Sequence, residues 1–280
     1  MPDHSNVSSS HSPCRVLVLG AHPDDAEFFA GGLLHEHKKQ GSQIRLISVT
    51  NGQSGHHQES SDVLVARRRI EAQESGKVLG CDYNCWDFPD GSLQPTLQVR
   101  EAIIREIRCF QPDLVLTHRP WDYHPDHRAV GQAVQDASYM VMVPKIAPGY
   151  PVPKREPVVA YMVDLFTRPV AFRADFVLDA SEHLMGIVQM LACHRSQFAE
   201  WIPWIERIKD MPSQPQAWAD WFRQFFLEKT AARGSRFWNP NWGTKPLLVE
   251  AYEVSEYAGT LSPELQGRLF PACRSNMLGQ

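Results

Sequence analysis

Short apolar runs alternate with longer amphipathic stretches along the first half of the chain. The runs RVLVLG at Arg15–Gly20, IRLISVT at residues 44–50 and DLVLT at residues 113–117 are largely apolar and have the length of strands. Such runs are typical of strands buried on both faces of a parallel sheet. A shorter candidate strand lies at residues 85–88, before a proline-glycine turn.

The stretches between these runs are predicted helices, which we place at residues 27–40, Ser61–Leu79, Leu97–Phe110 and 127–143. Each one ends next to a glycine or proline, as helices commonly do. Alternating strands and helices are the pattern of an α/β fold. We therefore predict a Rossmann-like, doubly wound, mostly parallel sheet flanked by helices.

The alternation loosens after about residue 144. We predict strands at residues 158–166, 172–178 and 247–252 and a helix at residues 181–194. Six tryptophans fall at Trp201, Trp204, Trp218, Trp221, Trp238 and Trp242. The sequence leaves open whether they build core, form a subunit interface or stack on sugar rings. We expect residues 14–280 to form one domain with an elaborated carboxyl-terminal part, after a disordered, serine-rich leader at residues 1–13.

Composition narrows the class of protein. The 280 residues are 43% hydrophobic and 21% charged, as in an ordinary globular enzyme, and the formal net charge is −4. We expect no nucleic-acid partner, because no basic patch is evident, and no membrane partner, because no apolar run approaches about 18 residues. The six cysteines form no CxxC pair. We therefore predict reduced thiols and a cytoplasmic protein.

Candidate metal ligands follow two of the predicted strands. His22, Asp24 and Asp25 come directly after the first strand, and HPDH at residues 124–127 follows the strand at residues 113–117. Each motif alone also suits a helix start or a loop. However, the carboxyl ends of strands in an open α/β sheet meet at one crevice. The two motifs together therefore predict a metal site.

The motifs AHPDDAEFFAGG and HPDH closely resemble the signatures of the LmbE-like, or PIG-L, family of N-acetylglucosaminyl deacetylases. Further matches follow in order: VTNGQSG, Arg68-x-x-Glu71, FPDG, HRSQ and VEAY. The resemblance is firm from Arg15 to about Val134. It implies a hydrolase with His22, Asp25 and His127 as metal ligands. Two imidazoles and one carboxylate suit zinc, with ferrous iron or another divalent ion as alternatives, and leave a fourth position for water.

The resemblance also suggests roles for four further residues. Asp24 is the candidate general base, with helix capping as the alternative role. His124 would polarise the acyl carbonyl oxygen, and Asp126 would orient His124. Arg68 is a candidate substrate anchor, because guanidinium pairs well with carboxylates or phosphates. The alternative for Arg68 is a solvated, glutamate-paired helix face.

Three functions remain open from the sequence. The first is removal of an acetyl group from an N-acetylglucosamine-type small molecule, by a homo-oligomer as the resemblance implies. The second is cleavage of a larger acyl or thiol-conjugate amide with the same site. The third is a non-catalytic metal- or nucleotide-binding Rossmann protein, although GAHPDD lacks the G-x-G-x-x-G motif. Substrate choice stays open because the stretch MGIVQMLACH lacks the family's frequent lysine.

Overall fold

A single eight-stranded sheet organises the chain in a computed structural model, which describes residues 13–277. The strands are β1 (Arg15–Gly20), β2 (Gln43–Thr50), β3 (Asp82–Phe88), β4 (Leu114–Thr117), β5 (Val158–Met162), β6 (Phe176–Asp179), β7 (Val249–Val254) and β8 (Arg274–Ser275). Their order across the sheet is β3-β2-β1-β4-β5-β7-β6-β8. The first five strands are parallel to one another, and β7, β6 and β8 add antiparallel pairs. The predicted mostly parallel α/β sheet is confirmed.

The helices are α1 (Asp25–Lys39), α2 (Ser61–Leu79), α3 (Leu97–Phe110), α4 (Pro125–Met140), α5 (Leu184–Ala192), α6 (Ile202–Ile205), α7 (Pro215–Phe237) and α8 (Pro263–Leu269). Within the described range, none has the length and apolarity needed to cross a bilayer. The predicted leader lies outside the described residues except for Pro13.

Helices cover both faces of the sheet, and β1 shows why. Val16 and Val18 belong to the apolar core that includes α1 and α5, whereas Leu17 and Leu19 belong to the core that includes α3 and α4. Successive strand residues point to opposite faces, so a strand between two cores must be apolar at every position. This explains the continuous apolar run at Arg15–Gly20.

The register of the parallel strands brings three loops to one edge. Leu19 pairs with Thr117, and Thr117 pairs with Tyr161, so β1, β4 and β5 end at about the same height. The loops that follow these strands therefore open on the same side of the sheet. This is the crevice in which open α/β sheets bind ligands.

The carboxyl-terminal third differs most from the sequence-based expectation. The strand predicted at residues 158–166 ends at Met162, and the one predicted at 172–178 is Phe176–Asp179. The helix predicted at 181–194 is shortened to Leu184–Ala192 and is followed by a π-helical segment, Ser196–Trp201. Helices α7 and α8 were not predicted at all.

The six tryptophans between residues 201 and 242 belong to three separate clusters. Trp201 and Trp204 stack on each other at a ring-centroid distance of 5.3 Å, and Trp204 stacks on His57 at 4.6 Å. Trp218 and Trp221 pack against the core beneath α7, and Trp238 and Trp242 pack against a small third core. Most of these rings therefore support the fold rather than one binding surface.

Candidate active site

The three predicted metal ligands converge. His22 Nδ1 lies 3.2 Å from His127 Nε2 and 3.6 Å from Asp25 Oδ2, and His127 Nε2 lies 3.3 Å from Asp25 Oδ1. All three side chains are largely shielded from solvent, with His22 the most accessible at 12%. The two distances to Asp25 involve its two carboxylate oxygens, so the three side chains, from two loops far apart in sequence, border one space that could hold an ion.

The turn after β1 and the start of α1 fix Asp25. Its Oδ2 accepts a hydrogen bond from the backbone N of His22 at 2.7 Å and lies 3.0 Å from His118 Nε2. Asp25 is the first residue of α1, where the helix dipole favours a carboxylate. His118, directly after β4, was missed by the sequence analysis although it follows a buried strand.

Asp122 orients His127. Its Oδ1 lies 3.0 Å from His127 Nδ1, so His127 Nε2 is directed to the other candidate ligands. The ring of His127 also stacks on that of His118 at a centroid distance of 3.8 Å. A carboxylate on the second nitrogen of a ligating histidine is a common feature of metal sites. Asp122 was also missed, although it lies in the same loop as HPDH.

Asp126 does not take the position expected from the sequence. Its carboxylate accepts hydrogen bonds from the backbone N of Gly91 at 2.6 Å and of Leu93 at 3.1 Å, and lies 3.4 Å from His22 Nε2. Asp90, which was not singled out, lies 3.2 Å from the same nitrogen. The carboxylates of Asp126 and Asp90 therefore both face His22 Nε2, and the side chain of Asp126 does not hold His124.

Charge balance at the site favours a cation. Four carboxylates are almost fully buried there, namely Asp25, Asp90, Asp122 and Asp126. Burial alone would lower the pKa of His127, but Asp25 and Asp122 raise it to about 9. Buried carboxylates are costly unless they are paired or bind a metal. The donor set and its excess of negative charge thus fit a divalent ion.

Substituting Asp122 tests this arrangement. We expect Asp122→Asn to weaken metal affinity by about 10- to 100-fold, because His127 loses the carboxylate that sets its orientation and basicity. Chelator competition measures the affinity. Asp136→Asn, an exposed change on α4, should leave it unchanged. Equal affinities for wild type and Asp122→Asn would contradict the role of Asp122.

Asp24 has an unusual backbone conformation. Its φ is 132° and its ψ −19°, a region that favours glycine. The backbone N of Asp24 donates a hydrogen bond to the Tyr83 hydroxyl at 3.0 Å, and the Asp24 carboxylate accepts one from Arg68 Nη2 at 3.1 Å. Burial raises the pKa of Asp24 to about 6, and Arg68 opposes this effect. Strained residues of this kind occur where structure holds a group for function.

Arg68 is not placed as an exposed substrate anchor. The residue is 2% exposed, and its guanidinium donates to the Pro23 carbonyl at 2.6 Å and to Asp24. Its neighbours Arg67 and Arg69 pair with acidic side chains instead. The prediction of a substrate contact therefore does not match its position. Arg68 holds Asp24.

His124 lies beside the candidate ligands, and one of its ring nitrogens already takes part in a hydrogen bond. Its Nδ1 accepts a hydrogen bond from the backbone N of Asp126 at 3.2 Å, so a neutral ring carries its proton on Nε2. Burial and the neighbouring His22 and His127 lower the pKa of His124, which favours the neutral form. The ring packs edge-on against His22 at 4.5 Å. Its Nε2–H is a candidate donor to a substrate oxygen.

A network of buried polar side chains is connected to Asp24 through Tyr83. Glu27, fully buried in α1, accepts a hydrogen bond from the Ser75 hydroxyl, lies 2.7 Å from His194 Nε2 and lies 3.4 Å from the Tyr83 hydroxyl. Tyr83 in turn accepts from Asp24. His194 of the HRSQ motif is thus linked to Asp24 through Glu27 and Tyr83, without contributing to the candidate ligand set.

A cavity of about 410 Å³ opens beside the candidate ligands. Asp24 and Asp25 are part of its lining. Aromatic rings form much of the wall, and two cations come from α7: the lining includes Phe28, Phe29, Phe166, Phe198, Lys229 and Arg233. The cavity wall therefore combines carboxylates, aromatic rings and two cations.

Comparison with known proteins indicates the family to which the chain is similar. The profile of the PIG-L family, described as GlcNAc-PI de-N-acetylase, matches residues 17–138, which contain all three candidate ligands. The uncharacterized deacetylase YaiS of Escherichia coli is 30% identical over 138 residues, 47% of this chain and 71% of YaiS. The 4-oxalmesaconate hydratase of Pseudomonas putida is 25% identical over 174 residues, 55% of this chain and 67% of the hydratase.

The fold likeness extends over nearly the whole chain. The N,N'-diacetylchitobiose deacetylase of Pyrococcus horikoshii has a TM-score of 0.68 and 22% sequence identity, and the match covers 92% of this chain and 86% of that protein. The likeness therefore includes the carboxyl-terminal third, where the family profile does not match.

Proposed function

Because this chain belongs to the PIG-L family of de-N-acetylases, we propose that it is a metal-dependent hydrolase that removes the acetyl group from the nitrogen of an N-acetylglucosamine-type substrate. One observation carries the proposal. Each pair of the three candidate ligands, which come from two loops, has atoms within 3.6 Å of each other, and one of the three, Asp25, lines a cavity that Asp24 also lines.

His22, Asp25 and His127 would hold the ion. We propose zinc, since two imidazoles and one carboxylate suit it, with ferrous iron as the alternative. When bound, such an ion lowers the pKa of a water molecule to about 7 and makes it nucleophilic at neutral pH.

Side chains of the protein transfer the proton and stabilise the developing charge. Asp24 takes a proton from the attacking water and delivers it to the leaving nitrogen, as a general base and then a general acid. Arg68 and Tyr83 hold Asp24 in place for this purpose. His124 Nε2–H donates a hydrogen bond to the acyl oxygen as negative charge develops there, a contribution of about 3 kcal/mol in comparable sites.

Amine release from a panel of N-acylated compounds tests the function. The panel contains N-acetylglucosamine, N,N'-diacetylchitobiose, a long-chain N-acyl glucosamine and a thiol-conjugate amide. We expect metal-loaded protein to release amine from an N-acetylated sugar, chelation to abolish the release, and zinc or ferrous iron to restore it. Preference for the long-chain or conjugate amides would favour the amidase alternative.

Hydration, the activity named for the Pseudomonas putida relative, is the reaction that the same assay should distinguish from deacetylation. An unsaturated dicarboxylic acid should be included, and its hydration followed by the loss of its ultraviolet absorbance. Hydration without amine release from any amide would overturn the deacetylase proposal. Activity that chelation leaves unchanged would overturn metal dependence.

We further propose a cytoplasmic homo-oligomer. Cys81, Cys85, Cys109, Cys193 and Cys273 are free thiols, which supports a reducing compartment. Exposed aromatic side chains beside the cavity, 63% for Tyr123 and 41% for Phe166, support a surface that another subunit covers.

A further inference from the structure

A buried arginine lines the cavity at a distance from the candidate ligands. Arg233, near the carboxyl-terminal end of α7, is 5% exposed, and it is the deeper of the two cations from that helix. Burial lowers the pKa of Arg233 to about 10, so its guanidinium is still charged at neutral pH. The residue lies outside the part of the chain that the family profile matches.

The contacts of Arg233 do not pair its charge directly with a carboxylate. Nη1 donates to the Phe28 carbonyl at 3.0 Å, and the guanidinium lies over the rings of Phe28 and Phe29 at 4.9 and 5.2 Å. Among the described residues, no carboxylate lies within 4.0 Å of it. Aromatic faces attract a cation but do not neutralise it. A buried cation without an anionic partner is costly.

The nearby acidic groups already have other partners. Glu250, whose charge acts on Arg233 from a distance, accepts hydrogen bonds from the backbone of Gly32 and Leu33 and from the Tyr252 hydroxyl. Asp164, on the cavity wall, is paired with Arg119 at 2.5 Å. The free donors of Arg233 therefore suit a group that enters the cavity.

Lys229, the other cation from α7, differs from Arg233. Its Nζ lies 2.5 Å from Glu206 Oε2, and its side chain is 40% exposed. A screened, paired lysine contributes little to anion binding. Arg233, by contrast, is desolvated and presents a planar fork of donors, which matches carboxylate and phosphate oxygens.

We propose that Arg233 determines substrate specificity by binding an anionic group, a carboxylate or a phosphate, on the substrate. This inference rests on the proposed function for the position of the reacting amide. Phe28 and Phe29 follow Asp25 by three and four residues, so the guanidinium lies about one helical turn, roughly 5 Å, farther along α1. The substrate is thus an acidic N-acylated amino sugar, with its anion several bonds from the scissile amide.

Calorimetry with metal-loaded protein tests the inference without relying on turnover. N-acetylmuramic acid is compared with its methyl ester for the carboxylate arm, and N-acetylglucosamine 6-phosphate with N-acetylglucosamine for the phosphate arm. We expect the wild type to bind at least one acidic compound about 10- to 100-fold more tightly than its neutral partner. Arg233→Gln should reduce that ratio to about one, and Arg233→Lys should retain part of it.

Arg223→Gln is the matched control, because Arg223 is exposed on the same helix and does not line the cavity. It should keep the wild-type ratio. Equal binding of acidic and neutral partners by the wild type would overturn the inference, even if Arg233→Gln failed to fold. A folded Arg233→Gln that kept the ratio would also overturn it. Selective acid binding without amine release would support the inference and contradict the proposed function.

Discussion

Asp24→Asn is expected to lower kcat by about 10²- to 10⁴-fold while the protein keeps its metal, because an amide of the same shape cannot accept the water's proton. KM should change little, since the substitution preserves the side chain's volume. Steady-state kinetics and metal analysis of the same preparation measure both quantities. Asp62→Asn, an exposed change at the start of α2, should behave as wild type.

A second variant separates the loss of the base from a disturbance of the site. Asp24→Gly suits the backbone, whose φ is 132°, and leaves space for a small carboxylate. Added formate should therefore restore part of the activity of Asp24→Gly and none of that of Asp24→Asn. If Asp24→Asn instead lost its metal, Asp24 would be a ligand and the base would have to be another residue.

His127→Ala is expected to remove the metal and to lower activity by at least about 10³-fold, since a water molecule that is not activated keeps a pKa near 15.7. Two candidate ligands would remain, fewer than the three that catalytic zinc sites use. Metal analysis after dialysis, together with amine release, measures both effects. Metal content and activity should fall in parallel.

His124→Ala is the variant to compare with His127→Ala. A ring nitrogen of His124 also lies within 4.8 Å of the ligand atoms of His22 and His127, so His124 is the other candidate ligand. We expect this variant to keep its metal and to lose activity through the missing donor to the acyl oxygen. Metal loss in His124→Ala and retention in His127→Ala would reverse the two assignments.

The parallel half of the fold was predictable because its signals are local. Ser61–Leu79 and Leu97–Phe110 have the predicted bounds, since Gly80, which adopts a left-handed conformation, directly follows the first and Pro112 lies two residues after the second. The family resemblance rested mainly on motifs in the same half, with HRSQ and VEAY as weaker matches beyond it, and is confirmed.

Helix α7 was not predictable for a physical reason. Its buried face consists of Phe222, Phe226, Thr230, Arg233 and Gly234. A threonine, an arginine and a glycine interrupt the apolar stripe by which an amphipathic helix is recognised. That face buries an arginine because it borders a cavity, and nothing local in the sequence indicates the cavity.

The candidate ligands were predictable, but the residues that orient them were not. Strand placement and the two motifs predicted a metal site, and the family resemblance assigned it to His22, Asp25 and His127, which lie close together. Asp90 and Asp122 were not predicted. Asp90 faces Nε2 of His22, which is far away in the sequence, and Asp122 faces Nδ1 of His127, five residues along the chain. Such pairings follow from tertiary geometry, not from spacing.

The backbone of Asp24 has a consequence for efforts to make this protein more robust. A non-glycine residue at a φ of 132° destabilises the folded state by about 1–3 kcal/mol. Glycine relieves that strain, so a screen that rewards heat tolerance alone would favour glycine at this position and so discard the proposed base. Thermostabilised variants should therefore be selected for turnover as well, with residue 24 held fixed.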